Sequence, residues 1–206
     1  MPLTSRFRAR RTGQRRSLVV PLATLLVLSL TSAGCLTSQG VGPNADVPLE
    51  TVDAVDLERF AGTWYVIENI GLSAEEGAHD EVETYTLRPD GKIDIAFTFR
   101  DGAFDGPEKS IPQLGWVHDE ETNAEWRVRP FWPLSLAYLI IDLDTDYGWT
   151  VIGHPSKRWV WIMARQPTLD ETVLAGIRGR LTDVGYDVDR LVRVPQRPLD
   201  QREPGK

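Results

Sequence analysis

Few residues of this chain have the type and spacing for catalysis. His79, His118 and His154 stand far apart, without the short spacing that lets metal ligands converge. No serine sits in a Gly-x-Ser-x-Gly elbow and no glycine-rich loop is built to cradle phosphate. The single cysteine, Cys35, has no histidine partner in sequence and can form no intramolecular disulfide. Asp144 and Asp146 are paired carboxylates, but acids on such a turn cap the backbone of their own loop. The run Asp119-Glu120-Glu121 reads as a solvated hairpin tip. Glu68 and Tyr138 are what remains for proton transfer. The expectation is a binding protein rather than an enzyme, with no cofactor and no metal.

Cys35 draws its meaning from what precedes it. Residues 1–34 carry six arginines and no acid, then an apolar run from Leu18 to Leu30, then Thr31-Ser32-Ala33-Gly34. Basic, apolar, small is the order of a secretory signal peptide, and the apolar run is shorter than the ~20 residues of a membrane-spanning helix. The small residues before Cys35 resemble a lipobox, the bacterial signal for acylating a cysteine and cutting in front of it, although Ser32 stands where leucine is usual. An ordinary signal peptide with a free cysteine is the alternative. Arg15-Arg16-Ser17-Leu18 also resembles a twin-arginine export signal, which leaves the export route open. Leu36, rather than aspartate, after the cysteine favours the outer membrane by analogy with bacterial lipoproteins. Residues 36–50 are rich in Gly, Pro, Ser and Asn, the composition of a flexible tether. Without residues 1–34 the chain keeps 17 basic against 30 acidic residues, a formal −13. Such a balance argues against nucleic acid as a partner.

The body of the chain must position whatever it binds, and it reads as strands. Between residues 62 and 165 strand signals recur about every ten residues, the rhythm of an all-β barrel or sandwich. In Gly91–Arg100, Ile93, Ile95, Phe97 and Phe99 alternate with Asp94, Ala96, Thr98 and Arg100. Arg88-Pro89-Asp90-Gly91 supplies the turn before it. Later strands carry Trp126 and Val128, Tyr138 and Ile140, Trp149 and Val151, and Trp159, Trp161 and Met163. Val160, Ile162 and Ala164 make the other face of the last strand apolar too, so something must cover it. The cover is a helix capped by Thr168 with Glu171 reaching back, whose stripe is Val173, Leu174, Ile177 and Leu181. Gly176 and Gly179 within it predict close packing on the sheet. From residue 195 on, the polar, proline-rich chain reads as a loose tail.

Three ordered motifs give the resemblance. Leu57–Tyr65 (LERFAGTWY), Asp144-Thr145-Asp146-Tyr147 and Trp161–Arg165 (WIMAR) are similar to the three lipocalin signatures, in the right order and followed by a helix. The resemblance covers about residues 51–196 and is closest to the bacterial outer-membrane lipoprotein lipocalins. It implies an all-β, eight-stranded antiparallel up-and-down β-barrel with a C-terminal α-helix packed outside. The domain layout becomes signal peptide 1–34, lipidated tether 35–50, barrel 51–196 and flexible tail 197–206. Gly62, Trp64, Asp146 and Arg165 take the structural signature positions, with Arg165 lying over the Trp64 ring to close the floor.

A barrel of eight strands is just wide enough for one small ligand. The expected lining is Ile95, Phe97, Phe99, Trp126, Val128, Tyr138, Ile140, Trp149, Trp159, Trp161 and Met163, some of which fill the core instead. Glu68 falls in phase with Trp64 and Val66, so it faces either the cavity or the watery rim. The expected partners are a fatty acid or lysophospholipid inside the barrel and a membrane reached through lipid on Cys35. The expected place is the bacterial cell envelope, at the periplasmic face of the outer membrane. An envelope interaction module with a self-filled barrel is the alternative, and an isomerase-type enzyme on the same scaffold ranks last.

Overall fold

The computed structural model describes residues 46–202. The expected signal segment, Cys35 and the tether up to residue 45 lie outside the described residues.

Eight strands follow one another in an antiparallel sheet: β1 (Gly62–Ile70), β2 (Ala78–Leu87), β3 (Lys92–Asp101), β4 (Glu108–Val117), β5 (Glu125–Arg129), β6 (Leu136–Leu143), β7 (Trp149–Gly153) and β8 (Val160–Ala164). The sheet closes on itself through β1, where Tyr65 stands opposite Val82 on one side and Ala164 on the other. A helical turn, α1 (Leu57–Phe60), leads into β1, and α2 (Glu171–Asp183) follows β8. A two-residue strand, β9 (Val192–Arg193), then pairs with Asn69 and Glu68 of β1.

The alternation of β3 is realised as read. Ile93, Ile95, Phe97 and Phe99 are buried, while Asp94 and Ala96 are exposed. The preceding turn closes with Arg88 N donating to Lys92 O (2.8 Å), and Gly91 adopts φ +78°, a region costly for any residue with a Cβ.

The barrel carries two apolar layers. One fills the interior. The other lies outside, where Leu174, Ile177 and Leu181 of α2 cover Ile67, Val151, Val160, Ile162 and Ala164. This is why β8 is apolar on both faces. The cap of α2 is Asp170 rather than Thr168: its Oδ1 accepts from Thr172 N (2.8 Å) and Val173 N (3.2 Å). Aspartate caps as well as threonine and stands directly before the first helical residue. Gly176 and Gly179 do not mark close packing. A Cβ at Gly179 would meet nothing within 4 Å, and one at Gly176 only Arg180 Nη1 at 3.5 Å. Nothing in the structure explains them.

Both ends of the described chain are tied down. Leu49 packs into the outer layer, and the Val47 carbonyl accepts from Lys157 Nζ, so residues 47–50, expected to belong to a tether, are held against the barrel. The tail is likewise held as far as Arg202. Val194 N donates to Ile67 O (3.0 Å), and buried Asp80 takes Arg197 Nε (2.5 Å) and Arg202 Nη2 (2.9 Å). A carboxylate that deep needs cations, and the arginines of the polar tail supply them.

Candidate ligand-binding site

The floor is built first. Gly62 holds φ +93°, and Trp64, two residues on, is fully buried with its Nε1 donating to Phe60 O (2.8 Å). The Arg165 guanidinium lies 3.7 Å from the Trp64 ring centre. Arg165 Nη1 donates to Thr63 O (2.8 Å), and Nη2 donates to the carbonyls of Arg59 (2.6 Å), Phe60 (3.0 Å) and Ala61 (3.0 Å). One planar cation thus stacks on an indole and ties down the chain entering β1. In the neighbouring loop Asp144, not Asp146, does the capping, with Gly148 N donating to its Oδ2 (2.9 Å), whereas Asp146 is exposed.

Above the floor, rings pack on rings. Phe60 sits 5.1 Å from Trp64, 5.4 Å from Tyr85 and 5.2 Å from Trp126, and Trp126 stacks on Tyr138 at 5.6 Å. Ile93, Ile95, Val128, Ile140 and Met163 complete this cluster, with Trp161 against it. Phe97 and Phe99, nearer the mouth on β3, form a separate cluster with Ala78 and Ile111. The lower interior is therefore filled by its own side chains, and the upper wall is apolar without joining that packing.

A polar stripe runs down β2. The Tyr85 hydroxyl bonds both the Glu83 carboxyl and the Tyr138 hydroxyl, and Tyr138 donates to Glu83 Oε2 (3.2 Å). Higher up, Asn69 Nδ2 donates to Glu81 Oε2 (2.9 Å) and Glu75 Oε2 (3.2 Å), and Trp161 Nε1 donates to Glu75 Oε2 (3.0 Å). Among the described residues, the salt bridges include none to these three carboxyls. Desolvation, with the neighbouring Glu75 and Glu83 charges, pushes Glu81 up to about 9. Burial pushes Glu83 up to about 8 and raises Glu75 as well. Glu81 and Glu83 are thus largely protonated at neutral pH and can donate hydrogen bonds. Asn69 and Glu75 also border a pocket of about 290 Å³ beside the β1–β2 loop, with Leu72, Arg190 and Val192.

Of the expected lining, Ile95, Phe97, Phe99, Trp126, Val128, Tyr138, Ile140, Trp161 and Met163 face inward. Trp149 and Val151 do not. Thr150 pairs with Met163 and Ile152 with Trp161, so the inner positions of β7 are Thr150 and Ile152. Trp149 lies in the outer layer, its ring 5.5 Å from the Arg180 guanidinium. Trp159 stands just before β8, half-buried against His154 at 4.7 Å. Glu68 also faces outward. A bulge between Val66 and Glu68 shifts the phase of β1, so Asn69 points in while Glu68 meets Arg178 Nε (2.9 Å) and Arg193 Nη1 (3.6 Å). Glu75, Glu81, Glu83 and Tyr85 were missed by sequence reading. The alternation of Glu81, Glu83 and Tyr85 with Val82 and Thr84 was visible, but acids on one face argue for solvent. Among the described residues no three His, Cys, Asp or Glu side chains converge to hold a metal.

Residues 55–196 match the family model described as a lipocalin-like domain. The chain is 29% identical to temperature-induced lipocalin-1 of Arabidopsis thaliana over 72% of this chain and 83% of that one. It is 27% identical to the outer membrane lipoprotein Blc of Citrobacter freundii, over 84% of this chain and 97% of the relative. Among solved structures, insecticyanin from the tobacco hornworm Manduca sexta superposes with a TM-score of 0.56 at 18% identity, over 74% of this chain and 86% of that one.

Proposed function

The chain belongs to the lipocalin-like family, whose members bind small hydrophobic ligands, and from that premise we propose that it carries one amphiphile in the upper barrel and performs no chemistry on it. The observation behind this reading is the two-sided lining of the upper interior. Phe97, Phe99 and Ile111 offer an apolar wall, and Glu75, Glu81, Glu83 and Asn69 offer a polar stripe. An acyl chain suits the first and a headgroup the second. A fatty acid or a lysophospholipid has this build.

The two ligands separate by pH. Near pH 6.5 protonated Glu81 and Glu83 can donate to a fatty-acid carboxylate. As pH rises through about 8 and then about 9, Glu83 and Glu81 ionise and repel the same anion. Fatty-acid affinity is expected to fall about ten-fold or more between pH 6.5 and 9, whereas a zwitterionic lysophospholipid keeps its affinity. Titration of the protein with fluorescent analogues of both, at the two pH values, makes the comparison. Phe97→Ala is expected to weaken both ligands. Absence of saturable binding at either pH, with the circular dichroism of the barrel intact, would sink the reading. It would favour instead an interaction module whose barrel is filled by its own rings, the alternative supported by the packed floor cluster.

We further infer that the protein sits at the periplasmic face of a bacterial outer membrane, held by lipid on Cys35. Support comes from the signal-like residues 1–34 and from relatives named outer membrane lipoproteins. Cys35→Ser is expected to leave the barrel folded and to move it from the membrane to the soluble fraction. If the variant sediments with membranes as fully as the parent, and still does so when Phe131, Trp132 and Leu134 are replaced by serine, the cysteine is not the anchor.

A further inference from the structure

The end of the barrel opposite the Trp64–Arg165 floor is ringed by four loops, residues 71–77, 102–107, 130–135 and 154–159. Exposed large apolar side chains gather there: Leu72, Phe104, Phe131, Trp132 and Leu134. Phe131 is 65% exposed and Trp132 81%, so both rings project from the β5–β6 loop. That loop, Pro130-Phe131-Trp132-Pro133-Leu134-Ser135, contains no charged residue in a chain that is otherwise strongly acidic.

We propose that this mouth is a bilayer-docking surface, with Phe131, Trp132 and Leu134 inserted among lipid headgroups. The inference rests on the lipid-ligand reading above and adds to it the surface from which the ligand is taken. Three observations select a bilayer as the occupant. The exposed rings sit on a projecting tip, and a fluid interface accepts such a tip without the matching pocket a protein partner would have to provide. The patch borders the upper interior, because the β3–β4 loop that carries Phe104 follows directly on β3, whose upper inner face holds Phe97 and Phe99. A lipid leaving the bilayer there enters beside the Phe97–Phe99 wall. Finally, the described chain begins at this same end, where the Val47 carbonyl is held by Lys157 of the β7–β8 loop. Cys35 lies twelve residues upstream of Val47, so a lipid on it keeps the mouth within about 40 Å of the membrane.

The test uses the full-length chain carrying Cys35→Ser, so that no acyl group contributes, and phosphatidylcholine vesicles with brominated acyl chains. All seven tryptophans lie between residues 64 and 161, so bromine quenching reports on the barrel alone. The expected result is quenching that falls several-fold in Trp132→Phe, although six tryptophans remain. Phe131→Ser with Leu134→Ser is expected to slow transfer of a fluorescent lysophospholipid from vesicle to protein about ten-fold, while leaving affinity for the same lipid in monomeric solution unchanged. Equal quenching in Trp132→Phe overturns the proposal. So does a concentration-dependent dimer in sedimentation that disappears when the same three side chains are removed, since the patch is then a contact between copies. Failure to bind the monomeric lipid overturns the ligand reading instead, and the quenching result decides docking independently.

Discussion

Trp64→Ala loses about 3–5 kcal/mol of folding stability in urea unfolding, the cost of deleting a large, fully buried aromatic side chain. Arg165→Lys loses stability as well, because an ammonium has neither the planar face that stacks on indole nor a fork that reaches four carbonyls. In Arg165→Lys the carbonyls of Arg59, Phe60, Ala61 and Thr63 no longer share a single donor group. The double variant is less destabilised than the sum of the two, by about 0.5–3 kcal/mol, since either change alone removes the 3.7 Å stacking. A double-mutant cycle measures this. Strict additivity would mean that the cation contributes only through the carbonyls.

The second large effect is a loss of stability with rising pH. Glu81 and Glu83 have folded pKa values of about 9 and about 8, against an ordinary 4.5. Between those limits the folded protein keeps protons that the unfolded chain has released, so stability is greatest below the unfolded value and falls as pH rises towards the folded ones. Each group contributes a slope on the order of 1 kcal/mol per pH unit. His154, whose pKa desolvation lowers from 6.5, acts in the opposite sense at lower pH, so the window from pH 6.5 to 9 isolates the carboxyls. Glu81→Gln with Glu83→Gln is expected to flatten the slope and to be more stable than the parent at pH 8.5. An unchanged slope would assign the pH dependence to other groups.

The fold was legible because its cues agree. The alternation in β3, the turn at Gly91 and the double-apolar β8 each demand the same barrel with an outer helix. Legibility failed where phase depends on a defect in the ladder. A bulge between Val66 and Glu68 cannot be read from residues that are polar or apolar on either side of it, and one extra residue exchanges the roles of Glu68 and Asn69. In β7, Thr150 and Ile152 are as plausible inward as Trp149 and Val151, and the pairing of Ile152 with inward Ile140 and of Thr150 with inward Met163 decides it. The polar stripe was hidden for a different reason. Glutamates in a strand signal solvent by default, and it is the register with β3, which sets Glu83 opposite Phe97 and Tyr85 opposite Ile95, that puts this face of β2 inside. Part of the candidate site was thus written in residues that look like surface.

Closure through β1 also bears on how the chain reaches its native state. Tyr65 is bonded on one edge to Val82 and on the other to Ala164, and β9 joins β1 only at residues 192–193. As the chain is made or exported from its N-terminus, β1 gains its hairpin partner early. Its other edge stays open until nearly a hundred further residues have followed. A twisted sheet with an unpaired β1 edge on one side and a growing last strand on the other is a template for pairing between chains. The seam that makes the finished barrel edgeless is therefore the last to form, and the interval before it forms is when this protein is most exposed to aggregation.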